Sequence, residues 1–403
     1  MQHNAQTPTR LIYLDWIRVA AFALLILYHV GMFYVTWDWH VKSPHAGHAL
    51  EPLMLFTNPW RLTLLFLVSG AATRFMADKL SAGSLAGRRT IRLLIPLLFA
   101  MAVIVPPQSY YEVVEQIGYR HSYPAFWARY LAADSGFCDA DGCLQVPTWN
   151  HMWFVAYLLV YTLLLALLVA VARAPLLRFG DFLSGRLRGA GLLIWPILFL
   201  AAARLVLLPM FEVTHGLFDD WYNHAISFAA FLFGFLLLKG GATAAECIRL
   251  RRWALALFLA AFMAFAAYAW VYRAEDATPP EALRAVMRIV YAVDQWAAIV
   301  TVLGYGALHL TRDTPLLRTL TEAVFPFYIV HQTIIVVAGH HLATLQLPAL
   351  AEGLLLVAIT AAGCWLAYEL SRRSGPLRPL FGLAHRKHSG RTLPASERLP
   401  ATE

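Results

Sequence analysis

The sequence predicts an all-α polytopic membrane protein of about ten transmembrane helices, with both termini in the cytoplasm. Three observations predict it. Of 403 residues, 60% are hydrophobic and 14% are charged, whereas soluble domains run at about 45–50% apolar and about 25% charged. The apolar residues fall in long continuous runs, near the ~20 residues that a helix needs to cross hydrocarbon, and not in the short alternating runs of a β-barrel. Basic residues are dense in every second connecting segment, as on the cytoplasmic side of membrane proteins. This composition excludes a disordered chain, a coiled coil and an ordinary cytosolic enzyme. The formal net charge of +8 therefore reads as topology with a lipid bilayer as partner, not as a nucleic-acid surface.

The ten stretches lie at about 11–36, 58–77, 90–107, 151–172, 190–210, 222–239, 252–272, 287–310, 322–344 and 348–370. No cleavable signal pattern is expected: the first stretch is long enough to span and carries Asp15 and Arg18 near its start. The second opens on Asn58-Pro59-Trp60-Arg61 and ends near Arg74. The third is short and is entered through Gly87-Arg88-Arg89-Thr90-Ile91-Arg92. The fourth opens on Trp149-Asn150-His151-Met152-Trp153, whose tryptophans suit an aromatic belt. Pro96, Pro196 and Pro326 fall inside the third, fifth and ninth stretches and predict kinks.

Segments 74–92, 173–189, 239–252 and 311–321 hold 5, 4, 4 and 2 Lys/Arg, and the tail after 370 holds 7. Segments 37–57, 107–150, 211–221, 273–288 and 340–347 hold 1, 2, 0, 3 and 0. The asymmetry puts both ends inside and requires an even number of crossings, which ten satisfies. Residues 1–370 read as one integral domain, and 371–403 as a basic, partly disordered cytoplasmic tail. Cys138 and Cys143 share the longest outer loop, where a disulfide can form. Between them, Asp139-Ala140-Asp141-Gly142 matches only the start of a calcium loop, so no metal is expected. Cys247 and Cys364 read as inert thiols.

Ionisable groups inside a bilayer are costly and mark candidate sites. Arg18 and His29 lie eleven residues apart, which at about 100° per residue returns to one helix face, with about 16 Å between them along the axis. Asp15, one turn before Arg18, can pair with it. Arg61 should sit at the outer end of the second span. Ser69-Gly70 reads either as a polar group of the site or as a small-residue helix contact. Arg88, Arg89 and Arg92 cluster at the cytoplasmic entrance. They read either as a fork for phosphate oxygens or as a positive-inside anchor. His151 and Trp153 stand at the outer mouth of the fourth span. His331 lies deep in the ninth, where the Pro326 kink can free backbone groups to orient it. Arg204 and Asp294 read as acceptor-site groups or as a structural ion pair. His340 and His341 fall in the outer loop without an assigned role.

Taken together, Arg18-X10-His29, Asn58…Phe66-Leu67-Val68-Ser69-Gly70, Arg89-X-X-Arg92, His151-Met152-Trp153-Phe154 and Tyr328-Ile329-Val330-His331-Gln332 resemble, in order and spacing, the acyltransferase 3 family of integral membrane acyltransferases. The resemblance runs from about 10 to 370. Leu14-Asp15-Trp16-Ile17-Arg18 and Phe325-Pro326-Phe327-Tyr328-Ile329-Val330-His331-Gln332 look most like the branch that succinylates osmoregulated periplasmic glucans.

The resemblance implies a protein of the bacterial inner membrane that transfers an acyl group from cytoplasmic acyl-CoA to a carbohydrate hydroxyl on the far side. Acyl-CoA is then a donor substrate, and no cofactor is expected to be tightly bound. In that reading Arg18, Arg88, Arg89 and Arg92 hold the donor. His29 is the general base, with His151 and His331 behind it. Arg61, Ser69 and Trp153 contact substrate. Direct attack and an acyl-histidine both remain open. The alternative is a secondary transporter of a small polar or anionic solute that uses the same intramembrane His and Arg residues.

Overall fold

The computed structural model describes residues 11–138, 142–274 and 276–384. Fourteen α-helices occur among them: α1 (Ile12–Met32), α2 (Glu51–Thr57), α3 (Arg61–Ala77), α4 (Ala82–Phe99), α5 (Pro106–Gln116), α6 (Tyr123–Leu131), α7 (Trp153–Arg186), α8 (Gly191–Val206), α9 (Trp221–Leu237), α10 (Ala242–Val271), α11 (Glu281–His309), α12 (Pro315–Ala343), α13 (Ala349–Arg373) and α14 (Leu377–Leu380). Each of the ten expected stretches contains one long helix. Seven are long and apolar enough to cross a membrane. Of the other three, α8 and α9 are apolar but only 16 and 17 residues long. The third, α3, is 17 residues long and carries Arg61 and Arg74. Among the described residues the count by length and apolarity is therefore seven.

Several helices outrun the hydrophobic stretches because polar residues continue the helical pattern beyond them. The short third stretch belongs to a helical run from Ala82 to Gln116. In that run α4 carries Pro96 and passes into a π-helical turn, Ala100–Ile104, before α5. The wide turn leaves carbonyls to be satisfied from elsewhere: Thr333 Oγ1 donates to Ile104 O at 2.6 Å and Trp127 Nε1 to Ala102 O at 2.8 Å. The fourth stretch ends at a real break, since Ala172 (φ −141°, ψ 32°) interrupts α7 three residues before Pro175.

Helices α3 and α9 touch backbone to backbone. A Cβ on Gly70 would lie 1.9 Å from Phe231 O, and one on Gly234 would lie 1.8 Å from Leu67 O. This is the small-residue contact read from Ser69-Gly70, and its partner is Gly234. Further pairs are α10 on α11, α12 on α13, α4 on α7 and α1 on α12. Past the carboxy-terminal end of α1 the chain doubles back, and Lys42 caps that end. Its Nζ donates to the carbonyls of Met32 and Val35 at 2.9 Å each and to that of Trp37. Cys138 and Cys143 form a disulfide. Asp139 and Asp141 of the calcium-like sequence lie outside the described residues, as does the tail from 385. Residues 377–384 pack on the bundle: Phe381 and Leu383 are buried, and Phe381 meets Phe99.

Candidate functional site

His29 lies in the last turn of α1 and His331 in the middle of α12. Their rings lie nearly parallel, 16° apart, and meet edge to edge with centroids 5.0 Å apart and His29 Nδ1 2.7 Å from His331 Nε2. His331 Nδ1 is also 2.7 Å from Tyr328 O. A carbonyl only accepts, so His331 Nδ1 carries the proton. Neutral His331 then accepts at Nε2, His29 donates from Nδ1, and the lone pair of His29 lies on Nε2. A backbone carbonyl thus sets the tautomer of the histidine two rings away. The orienting carbonyl is that of Tyr328, not the group that Pro326 frees one turn before it, at residue 322.

His151 completes the cluster, its ring 5.1 Å from that of His331. Its Nε2 donates to Ile329 O at 3.1 Å, and Tyr328 Oη donates to its backbone carbonyl. These contacts tie the turn that leads into α7, Asn150–Met152, to α12. Its Nδ1 faces Gln108 Nε2 at 3.4 Å. Gln108 Oε1 accepts from Asn150 Nδ2 and Gln332 Nε2, both at 3.1 Å. Gln332 Nε2 also donates to His40 Nε2 at 2.9 Å, and His40 Nδ1 donates to Glu112 at 2.8 Å. The chain from Glu112 to His151 is consistent in direction throughout, so it fixes tautomers and rotamers together.

His29 and His151 line a cavity of about 250 Å³ with Tyr28, Trp39, Asn58, Arg61, Trp153, Phe154, His215 and Tyr328. Trp153 stacks on His215 at 4.3 Å. His215 is brought there by the loop before α9, in which Asp220 accepts from Tyr157 Oη, Asn223 Nδ2 and the His215 amide. Burial pushes the His215 imidazole below its ordinary value, against the pull of Asp220.

Arg61, at the start of α3, is 2% exposed. Its Nη1 donates to Thr57 Oγ1 at 3.0 Å, its guanidinium sits 3.9 Å over the Tyr28 ring, and its Nε has no partner. Among the described residues it forms no ion pair. A buried unpaired ion costs several kcal/mol, and a desolvated cation–π contact returns only ~2 kcal/mol.

Arg89 repeats this situation toward the other end of the bundle. It is buried, Nη2 donates to Thr73 Oγ1 at 2.5 Å, and Nε is unpartnered. Arg18 pairs with Asp15 at 3.3 Å. Arg18 and Arg92 lie near enough to Arg89 to repel its charge, while Arg88 and Arg92 are exposed.

The candidate residues therefore form two groups: His29, His151, His331, Arg61 and Trp153 at one end, and Arg18, Arg88, Arg89 and Arg92 at the other. Ser69 joins neither; its carbonyl accepts from Thr73 and its neighbour Gly70 makes the helix contact. Arg204 and Asp294 do not pair. Arg204 lies over Tyr291 and bonds Tyr222, and both Asp294 oxygens lack partners. His340 and His341 belong to the last turn of α12, not to a loop, and bond Glu115 and Tyr111. Sequence reasoning missed Gln108, His40, Glu112, Tyr28, Trp39, His215 and Thr73. The available signals were local: Gln108 follows the Pro106-Pro107 break, and Thr73 lies one turn beyond Ser69. Among the described residues no group of three or more His, Cys, Asp or Glu could hold a metal ion.

The family described as Acyltransferase domain matches residues 11–369. Relatives named glucans biosynthesis protein C, from Escherichia coli K12 and Escherichia coli O1:K1 / APEC, are each 25% identical over 162 residues. The matched segment covers 40% of this chain and 39% of each relative. No solved structure matches.

Proposed function

Because the chain belongs to the family of that acyltransferase domain, we propose that it is a membrane O-acyltransferase. It moves an acyl group, succinyl in the nearest reading, from cytoplasmic acyl-CoA to a hydroxyl of an extracytoplasmic glucan or other carbohydrate. Residues 1–370 are the enzyme and 371–403 a cytoplasmic tail. All ten long helices cross the inner membrane of a bacterium, and both termini are cytoplasmic. The observation that carries the reading is a cavity-lining histidine, bonded through Nδ1 to His331, in the same bundle as a buried arginine without an ion-pair partner among the described residues at the opposite end.

Arg89 and its neighbours Arg18, Arg88 and Arg92 receive the donor's phosphates by charge-assisted bonds. The thioester then reaches toward His29, about 16 Å along α1 from Arg18. His29 Nε2 takes the proton of the acceptor hydroxyl as that oxygen bonds to the thioester carbonyl carbon. The C–S bond breaks, the proton passes to the departing thiolate, and the products are an ester and CoA thiol. His331 holds the tautomer of His29, and His151 holds α12 against the turn that leads into α7.

The test is acyl transfer by the purified, detergent-solubilised chain from labelled succinyl-CoA and acetyl-CoA to a glucan extract, with His29→Ala beside it. Label reaching glucan with wild type alone is expected. Normal transfer by His29→Ala overturns the base assignment. Label on the protein without acceptor replaces direct attack by an acyl-histidine. Solute flux without thioester cleavage, by a folded protein, returns the transporter reading.

A further inference from the structure

We propose that Arg61 reads the charge of the transferred acyl group and selects a short ω-carboxyacyl thioester, an acyl group whose far end is a carboxylate. The inference rests on the acyltransferase reading and concerns the same cavity.

Arg61 is 2% exposed and lines the cavity that His29 lines. Its protein contacts are neutral: the Thr57 hydroxyl and the face of Tyr28, whose Oη is itself engaged with Asn58 Oδ1 at 3.2 Å. One guanidinium donor, Nε, is unpartnered. Three anions can answer such a charge in an acyl transferase. The donor's phosphates are remote, because they belong with the arginines beside Arg18, about 16 Å down α1 from His29. The oxyanion of the transition state is transient and leaves the charge uncompensated in every bound state before it. A carboxylate on the acyl group compensates it as soon as the donor binds, and the planar fork of arginine suits a carboxylate.

Neutral donors of equal length leave Arg61 unpaired and bind more weakly.

The experiment compares kcat/KM for succinyl-CoA and butyryl-CoA, which share a four-carbon chain, using the full chain in detergent and a glucan extract. Wild type is expected to prefer succinyl by about 10- to 100-fold, the worth of a hydrogen bond to a charged group. In Arg61→Met that ratio collapses toward one, and Arg61→Lys recovers part of it. A wild type without preference overturns the proposal. So does an Arg61→Met variant that loses both donors by the same factor, as an oxyanion or purely structural role requires. Thermal unfolding of wild type with each donor and no acceptor needs neither variant nor turnover. Greater stabilisation by succinyl-CoA is expected, and equal shifts overturn the proposal. Discrimination in binding without transfer would sink the enzymatic reading and leave Arg61 as the anion reader; transfer without discrimination would do the reverse.

Discussion

At the scale of single residues, the site is a problem of proton placement. In the proposed mechanism His29 acts as a base only while its proton stays on Nδ1, where the bond to His331 Nε2 holds it. His331→Gln is expected to lower kcat by about 100-fold, within the range of general-base contributions, and to alter the pH profile of transfer. Pre-steady-state rates with a fixed donor check it, and an unchanged profile would reduce His331 to packing. Arg89→Ala is expected to raise KM for acyl-CoA by about 10- to 100-fold with a smaller change in kcat, the signature of lost ground-state binding. His215 bears on stability. Its imidazole titrates below its ordinary value of 6.5 in the fold, so the unfolded chain takes up more protons between that lowered value and 6.5. Stability is full above 6.5 and falls as the pH drops toward the lowered value. Melting curves at pH 7.5 and 5.5 should therefore differ by more in wild type than in His215→Phe.

At the scale of elements, three local devices bring the residues to one cavity. The π-helical turn after α4 lets α5 present Gln108 to His151 and Thr333. Lys42 closes the carboxy-terminal end of α1 a few residues beyond His29. The Gly70–Gly234 contact sets how near α3, and with it Arg61, can come to the bundle. Gly234→Leu is expected to melt well below wild type in detergent, because overpacking a tight contact costs ~1–3 kcal/mol and here the obstacle is backbone. Lys42→Met frees three carbonyls at the end of α1 and should destabilise by about 1–3 kcal/mol, with a parallel loss of transfer as His29 loosens. Separate melting and transfer measurements distinguish the two effects.

At the scale of the molecule, the two charged groups lie at opposite ends of the bundle, an arrangement suited to a donor and an acceptor that never share a compartment. Asp78 ties one end together, accepting from Arg74, Arg173 and Lys239 of three different segments. Those segments also carry the densest basic charge, so they are expected to face the cytoplasm. A single cysteine at Ser81, exposed between α3 and α4, should resist a membrane-impermeant thiol reagent in intact cells and react in inverted vesicles. The reverse pattern would invert the topology and the direction of transfer.

The sequence by itself determined the class of protein, the positions of its long helices and most of the charged candidates. Hydrophobic runs and the 3.6-residue period are local properties that need no partner to be read. Arg18 and His29 share a face for that reason, and His151 and His331 stand out because lipid makes a buried imidazole expensive. Only the tertiary structure decided which histidine bonds which, that Ser69 packs beside a glycine contact while Thr73 meets Arg89, and that Arg61 shares a cavity with His29. Gln108, His40 and Glu112 were invisible as a set because they come from different segments, and no spacing within one chain segment encodes a hydrogen bond to another. The extent of the helices was also undecided, since a hydrophobic run marks what contacts lipid while the backbone continues its hydrogen bonding past it.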